Sequence, residues 1–291
     1  MVSFKLSTAI AVAAFFVQNA VAAPSPSVDT NGIYVKRAAS CTFPSPPKTS
    51  SLSAPKVITG TFDGGNVRYN RGGGACNAQK DAGDREPVFL LENGATLKNV
   101  VIGANQVEGV HCRGSCNIYN VWFEDVCEDA ITLRQTSGTT NIVGGGAMNA
   151  SDKVVQHNGG GIVNIDSYCV QDFGSLYRGC GNCKTQYKRT VNISNVIAKN
   201  GKLLARVNSN YGDVATLKNN QISEVKSMCD TFKGNDSGME PLRLTSNKAN
   251  AKYVEPLPFL KGNDSGMEPL RLTSNKANAK YVEPLPFLPV C

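Results

Sequence analysis

Between Glu108 and Cys183 the chain spaces out side chains that together could take a proton from carbon. Glu124, Asp125, Glu128 and Asp129 form a dense carboxylate group. At roughly one supersecondary repeat each there follows a lone basic residue in a polar setting, first Lys153 and then Arg178. Clustered carboxylates hold a hard cation such as Ca²⁺. A nearby Lys or Arg accepts a proton only where its surroundings lower its pKa or favour its neutral form. A metal and a basic acceptor are the equipment for removing a carbon-bound proton next to a carboxylate.

Residues so far apart in sequence must be brought together by a regular scaffold. Short β-branched runs recur with an Asn at the turn: Leu97-Lys-Asn99-Val100, Ile118-Tyr-Asn120-Val121, Ile193-Ser-Asn195-Val196 and Leu217-Lys-Asn219-Asn220, with Val163-Asn-Ile165-Asp-Ser167 as a looser copy. They lie a little over twenty residues apart, or a multiple of that, which signals stacked units burying a shared core. No stretch keeps a helical period, and two-residue Asn-Gly hairpin turns are scarce, which disfavours a β-sandwich. Asn side chains stacked at a repeated turn can hydrogen-bond along the stack. The pattern predicts an all-β fold, a right-handed parallel β-helix (solenoid) in a single domain.

The chain of 291 residues carries a formal charge of +7 and ten cysteines. Lys5, the apolar run Ala9 to Val17 and the small residues Ala20-Val21-Ala22 read as a signal peptide over 1–22. Lys36-Arg37 reads as a processing site that ends a propeptide over 23–37. Both point to a secreted, extracellular protein, with the β-helix domain over 38–232. Removing residues 1–37, with Lys5, Asp29, Lys36 and Arg37, leaves a mildly basic protein suited to a polyanionic partner. All ten cysteines lie outside the signal, so Cys112-x-x-x-Cys116 and Cys180-x-x-Cys183 read as disulfide-forming rather than zinc-binding, with the connectivity left open. Asn149, Asn192, Asn235 and Asn263 open glycosylation sequons. In the C-terminal tail, 233–291, residues 233–260 return unchanged as 261–288, so at least one copy is expected to add little to folding.

The chemical words also carry a resemblance. V-H-C at 110–112, V-C-E-D-A at 126–130, D-K-V at 152–154, L-Y-R at 176–178 and N-Y-G-D at 210–213 occur in the order found in the polysaccharide lyase family 3 pectate lyases. The similarity runs from about Cys41 to about Cys229. It implies the same parallel β-helix and a Ca²⁺-dependent cleavage of polygalacturonate by β-elimination, ending in 4,5-unsaturated products. It maps the metal ligands to Glu128 and Asp129, with Glu108 where the family usually has Asp and with Asp125 as a nearby candidate. It implies Arg178 as the base and Lys153 as a partner for substrate charge.

Arg134 stands where the family typically has Lys, and Ser175 where it has Gly-Lys-Leu; the first changes clamp geometry and the second removes a charge. His157, beside the Lys153 turn, and Tyr177 are candidates for lining the substrate groove, whereas His111 and Trp122 read as interior. The Asn-Thr-Asp, Gly-His-Gly and Arg-Ile-Lys words shared by pectin hydrolases are absent. The alternative is a β-helix that binds pectate with weakened catalysis. The expected partner is an acidic polysaccharide, with no nucleic acid, no membrane and a monomeric state.

Overall fold

The structure, a computed structural model, describes residues 39–76, 83–247 and 291. The expected signal peptide, the propeptide site at Lys36-Arg37 and the second tail copy lie outside those residues. The strands are β1 (Thr49–Ser51), β2 (Lys56–Ile58), β3 (Thr61–Asn70), β4 (Pro87–Leu91), β5 (Thr96–Ile102) and β6 (Glu108–Cys112). There follow β7 (Asn117–Phe123), β8 (Asp129–Leu133), β9 (Thr139–Met148), β10 (Lys153–His157), β11 (Gly161–Asp166) and β12 (Cys169–Gly179). The chain ends its regular part with β13 (Arg189–Ser194), β14 (Ile197–Asn208), β15 (Val214–Lys218), β16 (Gln221–Lys233) and β17 (Leu242–Asn247).

Pairing is parallel throughout except between β16 and β17, and the strands form a parallel β-solenoid of about six turns. Three ladders run its length. One is β2-β4-β6-β8-β10-β12-β14-β16, and it carries the chemical words. The long strands each serve two ladders by bending part-way. Asn99 and Asn120 mark such bends inside β5 and β7, and Asn195 and Asn219 mark the breaks between β13 and β14 and between β15 and β16, all with φ near +53°, a conformation that Asn tolerates better than other side chains.

The expected stacking of Asn is present. Asn120 Nδ2 donates to Asn99 Oδ1 at 2.9 Å, and a second ladder runs from Asn192 to Asn164 to Asn141 to Asn117 with donor–acceptor distances of 2.9, 2.9 and 3.0 Å. Inside the coil, Leu97, Ile118, Ile142, Ile165, Ile193 and Leu217 are successive register partners and all are buried. Each coil thus adds one aliphatic layer to a continuous core, and full burial of each such side chain contributes about 1.5–3 kcal/mol.

The ten cysteines pair as Cys41–Cys169, Cys76–Cys127, Cys112–Cys116, Cys180–Cys183 and Cys229–Cys291, which supports the disulfide reading. Among the sequons, Asn149 sits in an exposed turn, Asn192 is engaged in the Asn ladder, and Asn235 donates to Met239 O. The first tail copy is not loose over its opening part. Asn235 N donates to Gly181 O at 2.7 Å, Pro241 is buried, and Leu242–Asn247 returns as the antiparallel edge strand on β16. That seat needs one copy only. Deleting residues 261–288 should therefore leave the melting temperature within a few degrees of the parent, measured by circular dichroism; a large drop would show that both copies pack.

His157 and Tyr177 occupy the interior. His157 Nδ1 and Tyr177 Oη lie 2.9 Å apart, and the other ring nitrogen faces Gly160 O at 3.1 Å. Burial, reinforced by the charge of Arg189, lowers the His157 pKa from about 6.5 to about 3. The unfolded chain takes up a proton near pH 6.5 and the folded one does not. This component of stability is therefore full above that pH and is lost as pH falls toward 3, by an amount on the order of a few kcal/mol. His157→Gln should flatten the fall in melting temperature between pH 6.5 and 4. Parallel slopes for variant and parent would show that other groups govern acid unfolding.

Candidate active site

Glu108, Asp129 and Lys153 are the first residues of β6, β8 and β10. Lys153 is the register partner of Asp129, so two words 24 residues apart in the chain meet on adjacent rungs about 4.8 Å apart. Glu128 belongs to the turn entering β8, which is fixed by buried Val126 and by the Cys76–Cys127 bridge. Ligand-capable oxygens of Glu108, Glu128 and Asp129 all lie within 4.8 Å of one another, and the three residues are buried.

Such a gathering of acids is costly without a cation. Burial pushes the Asp129 carboxyl well above the usual range, opposed by Lys153 and reinforced by Glu128 and Glu108. Glu128 is raised by burial and by Glu108, again against Lys153. The Lys153 ammonium sits 3.1 Å from Glu128 Oε1, 3.3 Å from Asp129 Oδ1 and 2.6 Å from Asp152 Oδ2. Burial alone would lower its pKa, but Asp129, Asp152 and Glu128 outweigh that and raise it. Lys153 is therefore held as a cation. Its charge does not complete the site: Glu128 Oε2 is buried and accepts no hydrogen bond, and Asp129 Oδ1 has the Lys153 ammonium at 3.3 Å without a well-formed hydrogen bond. An all-oxygen set with buried, uncapped lone pairs fits a hard divalent cation.

These groups open into a groove of about 570 Å³, within the roughly 300–1,000 Å³ typical of ligand sites. Its lining is almost entirely polar and includes Glu108, Glu128, Asp129, Arg134, Lys153 and Arg178. Arg178 stands on β12 opposite Gln156 of β10, with its side chain 13% exposed. Arg134 is paired with Asp84, which also holds Arg113. His111 is buried behind the acids, with Nε2 3.2 Å from Glu108 Oε2. One groove therefore unites six of the expected site residues.

Three expected residues lie elsewhere. Asp125 is exposed and outside the acidic group, and its carbonyl accepts from Gln106 Nε2 at 2.9 Å, because the turn after β7 aims it outward. Its neighbour Glu124 is bound to Arg68 by two contacts of 2.7 Å. His157 and Tyr177 are enclosed by the coil, so the expected groove-lining role gives way to a supporting one. The groove-lining positions beside them are Gln156, Asn158 and Arg178.

Sequence reasoning passed over Asp152, the nearest partner of Lys153, although it stands inside the quoted D-K-V word. It also passed over the buried support behind the groove. Asp213, from the N-Y-G-D word, accepts from the backbone N–H groups of Arg189 and Asn208 at 2.9 Å each. Arg189 in turn donates to Asn158 O at 3.1 Å. Arg206 and Glu240, at the far margin of the groove, carried no sequence signal at all.

Comparison with known proteins agrees with this geometry. The pectate lyase family profile matches residues 40–238. The chain is 55% identical over 220 residues to a probable pectate lyase E of Neosartorya fischeri, covering 74% of this chain and 86% of that one. It is 53% identical over 226 residues to pectate lyase E of Emericella nidulans, covering 77% and 88%. Among solved structures, the catalytic domain of pectate lyase PelI from Erwinia chrysanthemi superposes with a TM-score of 0.55 at 30% identity, covering 71% of this chain and 92% of that one. PelI in complex with tetragalacturonic acid gives a TM-score of 0.55 at 31% identity, covering 67% and 64%. With the coil, the acidic cluster and the three basic groove residues in place, this chain belongs to the pectate lyase family.

Proposed function

We propose that the protein is a secreted, Ca²⁺-dependent pectate lyase, cleaving polygalacturonate by β-elimination. Pectate cleavage follows from family membership. The observation that supports the calcium requirement is the buried Glu108–Glu128–Asp129 group, whose oxygens lie within 4.8 Å of one another and in which Glu128 Oε2 accepts no hydrogen bond. These three residues would hold the cation. When bound, it would neutralise the uronate carboxylate and so acidify the proton on C5. Five disulfides among the described residues suit an oxidising, extracellular setting. Among those residues no helix is long and apolar enough to cross a membrane.

Within this reading the residues divide the work by charge and reach. Arg134 and Lys153 bind substrate carboxylates, and their pairing with Asp84 and Asp152 keeps each cation oriented. Arg178 is the base. It takes the C5 proton, the C5–H electrons form the C4–C5 double bond, and the C4–O bond breaks with its electron pair on the departing oxygen, which takes a proton from water, leaving a 4,5-unsaturated end. Its partly enclosed position limits competition from water. Lys153, already the ion-pair partner of three carboxylates, is placed to hold charge rather than to accept a proton.

Polygalacturonate treated with the protein should develop the ultraviolet absorbance of the unsaturated product, and a chelator should abolish it. Asp129→Asn and Glu128→Gln should each lower turnover by roughly 10²-fold or more. Calorimetric titration with Ca²⁺ should show the same variants losing affinity for the ion itself. Full activity of both variants in chelator would end the calcium proposal; polysaccharide binding without unsaturated product would leave a pectate-binding β-helix.

The base assignment has its own test. Arg178→Lys should lose most turnover while keeping the charge, since reach and planarity change. Lys153→Ala should weaken binding as well as turnover. Near-normal turnover in Arg178→Ala beside an inert Lys153→Ala would exchange the two roles.

A further inference from the structure

On the ladder that carries the site, Arg178 of β12 is the register partner of Arg206 of β14. Two guanidinium groups therefore stand on adjacent rungs, with side chains only 13% and 18% exposed. Arg206 is further fixed by stacking, with its Cζ 4.4 Å from the centre of the Phe232 ring. Like charges this close and partly desolvated attract an anion between them.

The anion present is one from the chain itself. Glu240 places Oε1 3.2 Å from Arg206 Nη2 and Oε2 3.9 Å from Arg178 Nη2. Its own side chain is 71% exposed, so it covers the arginines from the solvent side and is easily withdrawn. The segment that presents it is firmly seated. Asn210 and Gly234 exchange bonds of 2.7 and 2.9 Å, Gln186 Nε2 donates to Asn235 O at 2.9 Å, and Asn235 Oδ1 accepts from the N–H groups of Ser237 and Met239. Buried Pro241 then packs against Gly181. The backbone is braced while the carboxylate tip is left in water.

We infer that Arg206 and Arg178 form a carboxylate subsite at the margin of the groove, and that Glu240 occupies it as an internal competitor until a uronate of the polysaccharide displaces it. The inference rests on the proposed action on polygalacturonate and extends the groove by one rung beyond Arg178. Each planar guanidinium can take a carboxylate in two parallel hydrogen bonds, which the distant contact of Glu240 to Arg178 does not achieve. A substrate carboxylate free to centre itself between the two arginines does better. Glu240 thus offsets half of the charge of the free subsite and selects for ligands that bring a charge of their own.

Binding is measured by affinity electrophoresis in gels containing polygalacturonate, which reads association whether or not the polymer is cleaved. Absence of unsaturated product from the parent protein would overturn the lyase reading alone and leave this measurement intact. Glu240→Gln should tighten binding by about 2- to 5-fold, the range expected for one exposed ion pair. Arg206→Gln should weaken it by about 10-fold. In kinetics, the effect of both should fall mainly on KM.

Because Arg206 also packs on Phe232, Arg206→Lys serves as the second variant: it keeps charge and stem, loses the fork, and should bind less tightly than the parent at an unchanged melting temperature. Fully methyl-esterified pectin, whose uronates are uncharged, should not distinguish the variants. Unchanged or weaker binding in Glu240→Gln would overturn the inference. So would unchanged binding in both Arg206 variants, or an equal gain on the esterified polymer.

Discussion

Parallel backbone pairing at about 4.8 Å per rung is the constraint from which the rest of this molecule follows. Side chains separated by 21 to 28 residues are forced into single columns. A column of aliphatic residues makes the core, and a column of Asn amides satisfies the bends. The same rule makes charged columns unavoidable wherever successive coils carry ionisable residues at one register position. Along the functional ladder this produces Asp129 beside Lys153, and Thr132, Gln156, Arg178 and Arg206 in the next row. The solenoid turns a sparse one-dimensional pattern into a dense electrostatic surface.

Density of charge is costly unless it is compensated, and the compensation is visible at each point. Lys153 is surrounded by three carboxylates, Asp84 divides itself between Arg113 and Arg134, and Asp213 serves Arg189 and Asn208. At the acidic centre, Glu128 Oε2 stays buried without a hydrogen bond. A buried acidic centre left unsatisfied is prepared for a ligand rather than for stability. The high pKa values of these acids express the same fact, since burial resists their ionisation until an opposite charge arrives.

The end of the coil meets a different problem. An open parallel edge would expose unpaired backbone groups, and β17 covers it in the antiparallel sense while its preceding loop delivers Glu240 to the groove. A segment that looked like composition-biased tail thus protects the fold and reaches the site. Ser175 sits buried between Lys153 and Leu203 in its row and adds no charge, so the positive charge lining the groove comes from Arg134, Lys153 and Arg178.

Much was legible in the chain before any tertiary contact was known. The coil period, the Asn bends and the absence of helix follow from local patterning, because each repeat must present the same aliphatic layer and the same turn. The acids at 128 and 129, and Lys153 and Arg178, were legible because their words are short and chemically unusual. Tertiary structure decided the remainder. Pairing Cys41 with Cys169 depends on which rungs lie side by side, which no local spacing encodes. Asp125 and Asp129 are equally acidic, yet the turn before β8 sends one outward and the other into the core. His157 and Gln156 are adjacent, and strand alternation puts the ring inside and the amide in the groove. Glu240 enters only because the edge of the coil must be covered. Sequence determines which side chains exist and at what interval; register and the direction of each turn determine which of them meet.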